Sequence, residues 1–368
     1  MTRMSTADLL AARMAASGLT HRPASDPAGA ARVCAGIQAQ DLWATRLAVR
    51  SRSATARLDD VLAAVQGPPA VVRTWPMRGT LHLLPAEDVR WTVGLTGPSV
   101  LRMTAGRRRG LGLDDDLLAR VGDALPKILT GRILTGAEII AELGRLGITF
   151  GPDPGAAAHI IFWAAVSGLV CRGPERGSHR TVVLLDDWVP TGGPTGEDAL
   201  VELARRYVQA FGPVTPHDFA SWSGLTIGAG RRAFAALADE LETVTVEDQA
   251  MVRLDPVPAA RGVLRLLAAF DTYLMGYRPR DAMLHPSLQK RIVDGGMLYP
   301  SICLDGALLG RWSLNRATDP ASVTLGFFHE PPPHWRDLID GEVADIARFL
   351  DRDVRLAEPT PIAAPKPS

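Results

Sequence analysis

The chain has 368 residues, two to three times the size of an ordinary domain, so two to four compact units are expected. Forty basic residues balance forty acidic ones, 46% of the residues are hydrophobic and 22% are charged, which excludes wholesale disorder, a collagen-like chain and a coiled coil. Apolar runs such as residues 159–166 stop well short of the ~18 residues of a membrane span, so a soluble chain is expected.

From the N-terminus, residues 1–19 carry Arg3, Asp8 and Arg13 among apolar positions and do not read as an export signal. Cys34, Cys171 and Cys303 are too far apart in sequence to form a paired framework or a zinc site, which fits a reducing cytoplasm and a protein without metal. Helical patterns cover 6–17, 28–35 and 58–65, and strand-like runs at 71–75 and 79–84 flank Pro76. The middle of the chain repeats this order more regularly. A helix over 114–129 is expected to break or kink at Pro126, Thr135 caps a second helix over 136–146, and Pro154 opens a third over 155–167. Runs at 169–172 and 181–185 then form a hairpin. Three short helices followed by a two-stranded hairpin is the winged-helix order.

A third copy follows, with helices at 197–211, 216–222 and 228–241 and strands at 243–246 and 251–254 around a turn. Beyond residue 264 the pattern changes to short strands, with Asp305-Gly306 as a hairpin turn, a closing helix over 335–350, and a proline-rich tail that reads as disordered. The predicted fold is α+β and helix-dominated. Its units are a first winged helix over 1–95, a second over 96–192, a third over 193–260, a β-rich region with the closing helix over 261–358, and the tail 359–368.

Zero net charge speaks against a nucleic-acid partner, but the distribution does not. Arginine supplies 37 of the 40 basic residues. Arg46, Arg50, Arg52 and Arg57 follow one another without an intervening acid, as do Arg102, Arg107, Arg108 and Arg109, so a basic face on a neutral protein is expected. Phosphate loops, His-Glu-x-x-His pairs and nucleophile elbows are missing from the sequence. The eight histidines are scattered, and a lone His82 or His159 in an apolar run is ordinarily a core residue. Gln38 and Gln40 in Gly36-Ile-Gln-Ala-Gln-Asp-Leu-Trp43 would lie on nearly opposite faces of a helix but on one side of an extended segment, so joint action requires an extended or looped backbone.

This motif, Arg73-Thr-Trp-Pro-Met-Arg-Gly-Thr-Leu-His82, residues 211–225, residues 270–280 and Asp305-Gly-Ala-Leu-Leu-Gly-Arg-Trp312 together resemble the AlkZ-like family of bacterial winged-helix DNA glycosylases. The likeness runs through nearly the whole chain and is closest to the azinomycin-resistance branch, whose signature is Gln-x-Gln. A sister branch has Gln-x-Asp. The resemblance implies three tandem winged helices in a concave arrangement with a small C-terminal β-barrel, catalysis by Gln38 and Gln40, and excision of N7-alkylguanine, including guanine in interstrand crosslinks.

Arg50, Arg73, Arg78, Arg108 and Arg311 are the expected contacts to double-stranded DNA, with no cofactor and a monomeric, cytoplasmic, nucleoid-associated protein. The turn around Pro76 and the Asp305-Gly306 hairpin are the candidate groove probes. Asp41 is expected to cap the helix that starts at Leu42. The rival readings are a winged-helix transcriptional regulator without catalysis and a protein that sequesters the alkylating compound.

Overall fold

The computed structural model describes residues 2–358, so the tail expected to be disordered lies outside the described residues. The chain opens with β1 (Thr2–Met4) and α1 (Thr6–Ala16), then builds a first unit from α2 (Pro27–Val33), β2 (Ile37–Gln38), α3 (Leu42–Arg52), α4 (Leu58–Ala63), β3 (Val71–Thr74) and β4 (His82–Pro85). A long helix α5 (Ala86–Met103) and a short α6 (Ala105–Gly110) lead to the second unit. That unit comprises α7 (Asp115–Leu129), β5 (Leu134–Thr135), α8 (Gly136–Arg145), α9 (Pro154–Val166), β6 (Val170–Arg172) and β7 (Thr181–Leu184), and α10 (Leu185–Trp188) follows it.

In both units the short strand between the first two helices pairs with the last strand, giving the orders β2-β4-β3 and β5-β7-β6. This is the winged-helix topology. Strands β3 and β6 pair at Arg73 and Arg172, which fuses the two half-sheets into one six-stranded sheet, β2-β4-β3-β6-β7-β5. The first unit uses α2, α3 and α4 as its three helices. Sequence patterning instead placed α1 in that set and passed over α3, because α3 carries arginines through positions that turn out to be buried.

The third unit has α11 (Gly196–Phe211), α12 (Pro216–Ser223), α13 (Ile227–Ala236), β8 (Glu242–Val246) and β9 (Gln249–Arg253), with a bridge from Val214 to Val252 in place of a short first strand. Strand β1 adds to it in parallel beside β8, so the N-terminus is tied to a unit more than 200 residues away. After it come β10 (Leu264–Leu267), α14 (Thr272–Met275), β11 (Val293–Asp294), β12 (Met297–Leu298), β13 (Ser301–Leu304), β14 (Ala307–Asn315), β15 (Ala321–Phe327), α15 (Trp335–Leu350) and β16 (Val354–Leu356). The order β10-β13-β14-β15-β16 leaves β10 and β16 as edges, so this sheet is a curled half-barrel, and α15 packs against it.

Local sequence accounts for most helix ends. Thr135 with Glu138 and Thr215 with Asp218 form reciprocal capping boxes, and Pro154 and Pro216 occupy the first turn of their helices. Helix α7 runs through Pro126 to Leu129 instead of breaking there, because the proline lies near its C-terminal end, where the tertiary packing of Leu125, Ile128 and Leu129 holds the last turn. No helix among the described residues is long and apolar enough to cross a membrane.

The first unit and the half-barrel share one core. Ile37, Ala44, Leu47 and Leu83 pack with Leu266, Trp312, Ile346 and Phe349. Two buried arginines on α3 add polar ties. Arg52 makes a two-pronged ion pair with Asp271, at 2.7 and 3.0 Å, and also bonds Thr272, Ser17 and Ala48. Arg50 pairs with Glu342 at 3.1 Å and Asp345 at 2.8 Å and donates to the Leu266 carbonyl. Helix α3 is thereby fixed at both its apolar and its charged positions.

Candidate active site

Gln38 ends β2 and Gln40 stands in the short link between β2 and α3. The backbone is non-helical across the pair, as convergence requires, and Ala39 between them is buried and donates to the Leu81 carbonyl at 2.7 Å. Gln38 Nε2 donates to Gln40 Oε1 at 2.8 Å, so the two carboxamides do meet. Gln38 is 4% exposed whereas Gln40 is open to solvent. Gln38 Oε1 is sealed from solvent without a hydrogen-bond partner. With its nitrogen engaged and its oxygen unpaired, the Gln38 amide keeps one unused acceptor closed off from solvent.

Asp41 occupies the N-cap of α3 and accepts from the Ala44 amide at 2.8 Å. Its carboxylate is thereby committed to the helix start. In the second unit the equivalent cap, Thr135, belongs to β5 itself, whereas β2 ends at Gln38 and two residues, Ala39 and Gln40, precede the cap. The first unit has therefore lengthened this corner by two residues, one of which, Gln40, is half of the amide pair.

Beside the pair lies Trp43, with the guanidiniums of Arg46 and Arg316 at 4.9 and 3.5 Å from its ring. Arg316 comes from the exposed turn between β14 and β15, so the half-barrel brings a basic hairpin tip to the amide motif. Sequence reasoning missed both residues. Trp43 was within the motif, but nothing in the sequence links it to a residue more than 270 positions away.

A second group of cations lines the cleft next to α3. Arg46, Arg73 and Arg172 line it with Glu175, which pairs with Arg46 at 3.2 Å and stands 3.7 Å from Arg73, and Arg180 acts electrostatically on Arg73 and Arg172. Burial, together with the neighbouring arginines, pushes Arg73 and Arg172 down to about 10, with Glu175 opposing the shift at Arg73. The surplus of positive charge is the local basic face that the neutral overall composition concealed.

The five expected DNA contacts fare differently. Arg50 is fully buried in its carboxylate pairs and cannot reach a phosphate, so its place in the sequence cluster reflects a core role. Arg73 is 7% exposed and forms part of the cleft wall, which excludes it as a free backbone contact. Arg108 donates to the Leu101 carbonyl and to Thr104, finishing α5, while Arg102, Arg107 and Arg109 are exposed around it. Arg311 lies over the Tyr299 ring at 3.6 Å. Arg78 has φ of 53° in the turn Met77–Gly79, and both of its terminal nitrogens are buried without partners; burial and then Arg278 and Arg280 push it down to about 10.

Neither candidate groove probe is available. The turn after Pro76 is held in the interior by buried Met77 and by Gly79, which packs on Phe162 and Val100. At the Asp305-Gly306 turn the Gly306 carbonyl accepts from Tyr273, and a Cβ on Gly306 would come within 2.8 Å of α1 backbone and side chain. The third helix of the second unit, α9, carries no Arg, Asn or Gln and packs on α5 and α8, so it lacks the side chains that usually read base edges. His159 on it is half-buried and pushed down by burial and by Arg108 and Arg107.

A family model described as DNA glycosylase AlkZ-like matches residues 31–349. The chain is 27% identical over 317 residues, 80% of its length and 83% of the relative's, to an interstrand DNA cross-link repair glycosylase of Streptomyces sahachiroi. Its structure superposes on that of the DNA glycosylase AlkZ of Streptomyces sahachiroi with a TM-score of 0.80, covering 97% of this chain and all of the other at 25% identity.

Proposed function

The chain belongs to the AlkZ-like DNA glycosylase family, and on that premise we propose that it hydrolyses the N-glycosidic bond of N7-alkylguanine in duplex DNA, including guanine held in an interstrand crosslink. It does so as a monomer in the cytoplasm, without metal or cofactor. The observation that carries the reading is the amide pair: Gln38 and Gln40 bonded to each other off the helix, with Gln38 Oε1 left unpaired beside an arginine-lined surface.

The chemistry suits two neutral groups. An N7-alkylguanine is cationic before reaction, so the departing base needs no strong general acid. As the C1′–N9 bond breaks, its electron pair stays with the base and cancels that charge. Positive charge then develops on the deoxyribose, where a carboxamide oxygen stabilises it. Water forms the new C1′–O bond and loses a proton, leaving neutral alkylguanine and an abasic site. Glutamine neither protonates nor ionises near neutral pH, so the pair orients water and sugar without a tuned pKa.

Arg46 and Arg316, held against the Trp43 indole, supply the adjoining contact surface, with phosphates drawn to the guanidiniums. A crosslinked base cannot rotate freely out of the duplex, so an open site at a surface corner suits it better than a deep pocket. The test is single-turnover release of N7-methylguanine from duplex DNA. Gln38→Ala and Gln40→Ala should each slow it by roughly 10²- to 10⁴-fold while duplex affinity stays the same. No release by the parent protein, or rates within a few-fold of the parent for both variants, would overturn the proposal.

A further inference from the structure

One row of side chains crosses the whole fused sheet on the face that α3 covers. Strand register opposes Ile37 to Leu83, Leu83 to Arg73, Arg73 to Arg172, Arg172 to Val182, and Val182 to Leu134. Directly opposed residues in antiparallel strands share a face, with Cβ atoms ~5 Å apart. Gln38 and His82, each next in sequence to a member of the row, therefore lie on the other face. Four of the six members are aliphatic and buried, whereas the two in the middle are arginines, at the seam between the first and second units. Like charges placed directly opposite each other repel.

This arginine pair lacks the partners that buried arginines ordinarily have. Arg50 and Arg52 show the usual arrangement, each held by carboxylates within hydrogen-bond distance. Arg73 is 7% exposed, yet its guanidinium makes no hydrogen bond among the described residues, and its ion pair with Glu175 is long, at 3.7 Å. Arg172 makes none either; its Nε is sealed without a partner, and its guanidinium lies over the Trp75 ring at 4.9 Å. Glu175 gives one oxygen to Arg46 at 3.2 Å and keeps Oε1 without a hydrogen bond. One carboxylate thus stands against three guanidiniums. Burial pushes Arg73 and Arg172 down to about 10, so both are still cations at neutral pH.

Both arginines line a cavity of about 60 Å³ between α3, α4 and the sheet. Its other wall is aliphatic, from Leu42 of α3, Val61 and Leu62 of α4, Val65, and Val71 of β3. Exposed Leu62 and Gln66 are part of the lining, which gives the cavity access to solvent. The space is less than half of the ~150 Å³ that holds benzene, so it suits only a few non-hydrogen atoms. We propose that it is a binding site for a short-chain aliphatic carboxylate, whose oxygens accept from Arg73 and Arg172 and whose tail lies on Leu42, Val61 and Val65. Guanidiniums match a carboxylate in both charge and planar geometry. A bare oxyanion would meet the cationic wall equally well but would press its hydration shell against aliphatic side chains, so an amphipathic ligand is favoured. Arg73 and Arg172 are the single residue pair joining β3 to β6, so the bound carboxylate cancels repulsion at that seam and ties the two winged helices together. This second site is independent of the glycosylase reading.

Titration calorimetry of the whole protein at pH 7 and fixed ionic strength, with formate, acetate and propionate as ligands, tests the assignment. Binding should saturate at one site per chain, and each added carbon should tighten it about fourfold. Glu175→Gln removes the competing negative charge and should strengthen propionate binding severalfold. Arg172→Gln removes one of the two anion donors and should weaken it roughly tenfold or more. Absence of saturable binding, affinity that ignores chain length, or inorganic phosphate binding as tightly as propionate would each overturn the proposal. Should Arg172→Gln fail to fold, Glu175→Gln decides, and unchanged affinity there sinks the site.

Discussion

The buried, neutral state of His82 has a consequence for stability that is independent of any catalytic assay. Burial first, and Arg78 second, lower its folded pKa from the ordinary 6.5 to about 3. Between those values the unfolded chain binds a proton that the folded one refuses, so stability rises with pH across that window and is lost as pH falls through 6.5 toward 3. For one site moved from pH 7 to 4.5, linkage gives a loss of roughly 2–3 kcal/mol. The groups around the ring are Arg78 from the turn, Gln38 from β2, and Thr74 and Thr80 from β3 and the link to β4, so Arg78 is the one charged neighbour that shifts it. Urea unfolding of the parent and His82→Asn at pH 7.0 and 4.5 measures the effect. Carboxylates titrate alike in both proteins, and the parent should lose roughly 2–3 kcal/mol more than the variant. Equal losses would show that His82 titrates normally and is not sealed.

Further outcomes follow from the ion pairs and the basic face. Asp271→Asn leaves the Arg52 charge buried without its partner and should destabilise the protein by about 3–5 kcal/mol, read by denaturant midpoint. Arg46→Ala and Arg316→Ala should each reduce the log–log salt slope of duplex binding by about 0.9, while Arg50→Ala should leave that slope unchanged and lower stability; a flattened slope with Arg50→Ala would contradict its burial. Uracil-containing duplex should remain intact, because neutral amides cannot protonate a neutral leaving base, and Asp41→Asn should cost far less activity than Gln40→Ala because its oxygen still caps α3.

The parts of this molecule legible in its sequence are those governed by local chemistry. Thr135 and Pro154 signal helix starts whatever surrounds them, and the off-helix spacing of Gln38 and Gln40 required an extended backbone that β2 supplies. The arginines misled for a physical reason. Arg46 and Arg50 are four apart on α3, yet one borders the cleft and the other is inside, because Glu342 and Asp345 approach from a helix almost 300 residues away. The pairing of β1 with β8, and the stacking of Arg316 on Trp43, likewise depend on how separate units dock. The row from Ile37 through Arg73 and Arg172 to Leu134 is invisible until strand register is known, since its members come from six strands.

The junction between β3 and β6 also governs how this protein can be cut or rebuilt. The fused sheet ends on β2 and β5, strands of two residues each, so it offers little free backbone at either rim. Separating the units between α5 and α6 would uncover the facing edges of β3 and β6, each with unmet amides and carbonyls beside apolar residues. Either half expressed alone would tend to recruit a second copy of itself along that rim. Insertions or fusion partners therefore belong at the exposed loop around Gly192 and Gly193, after both strands are already joined.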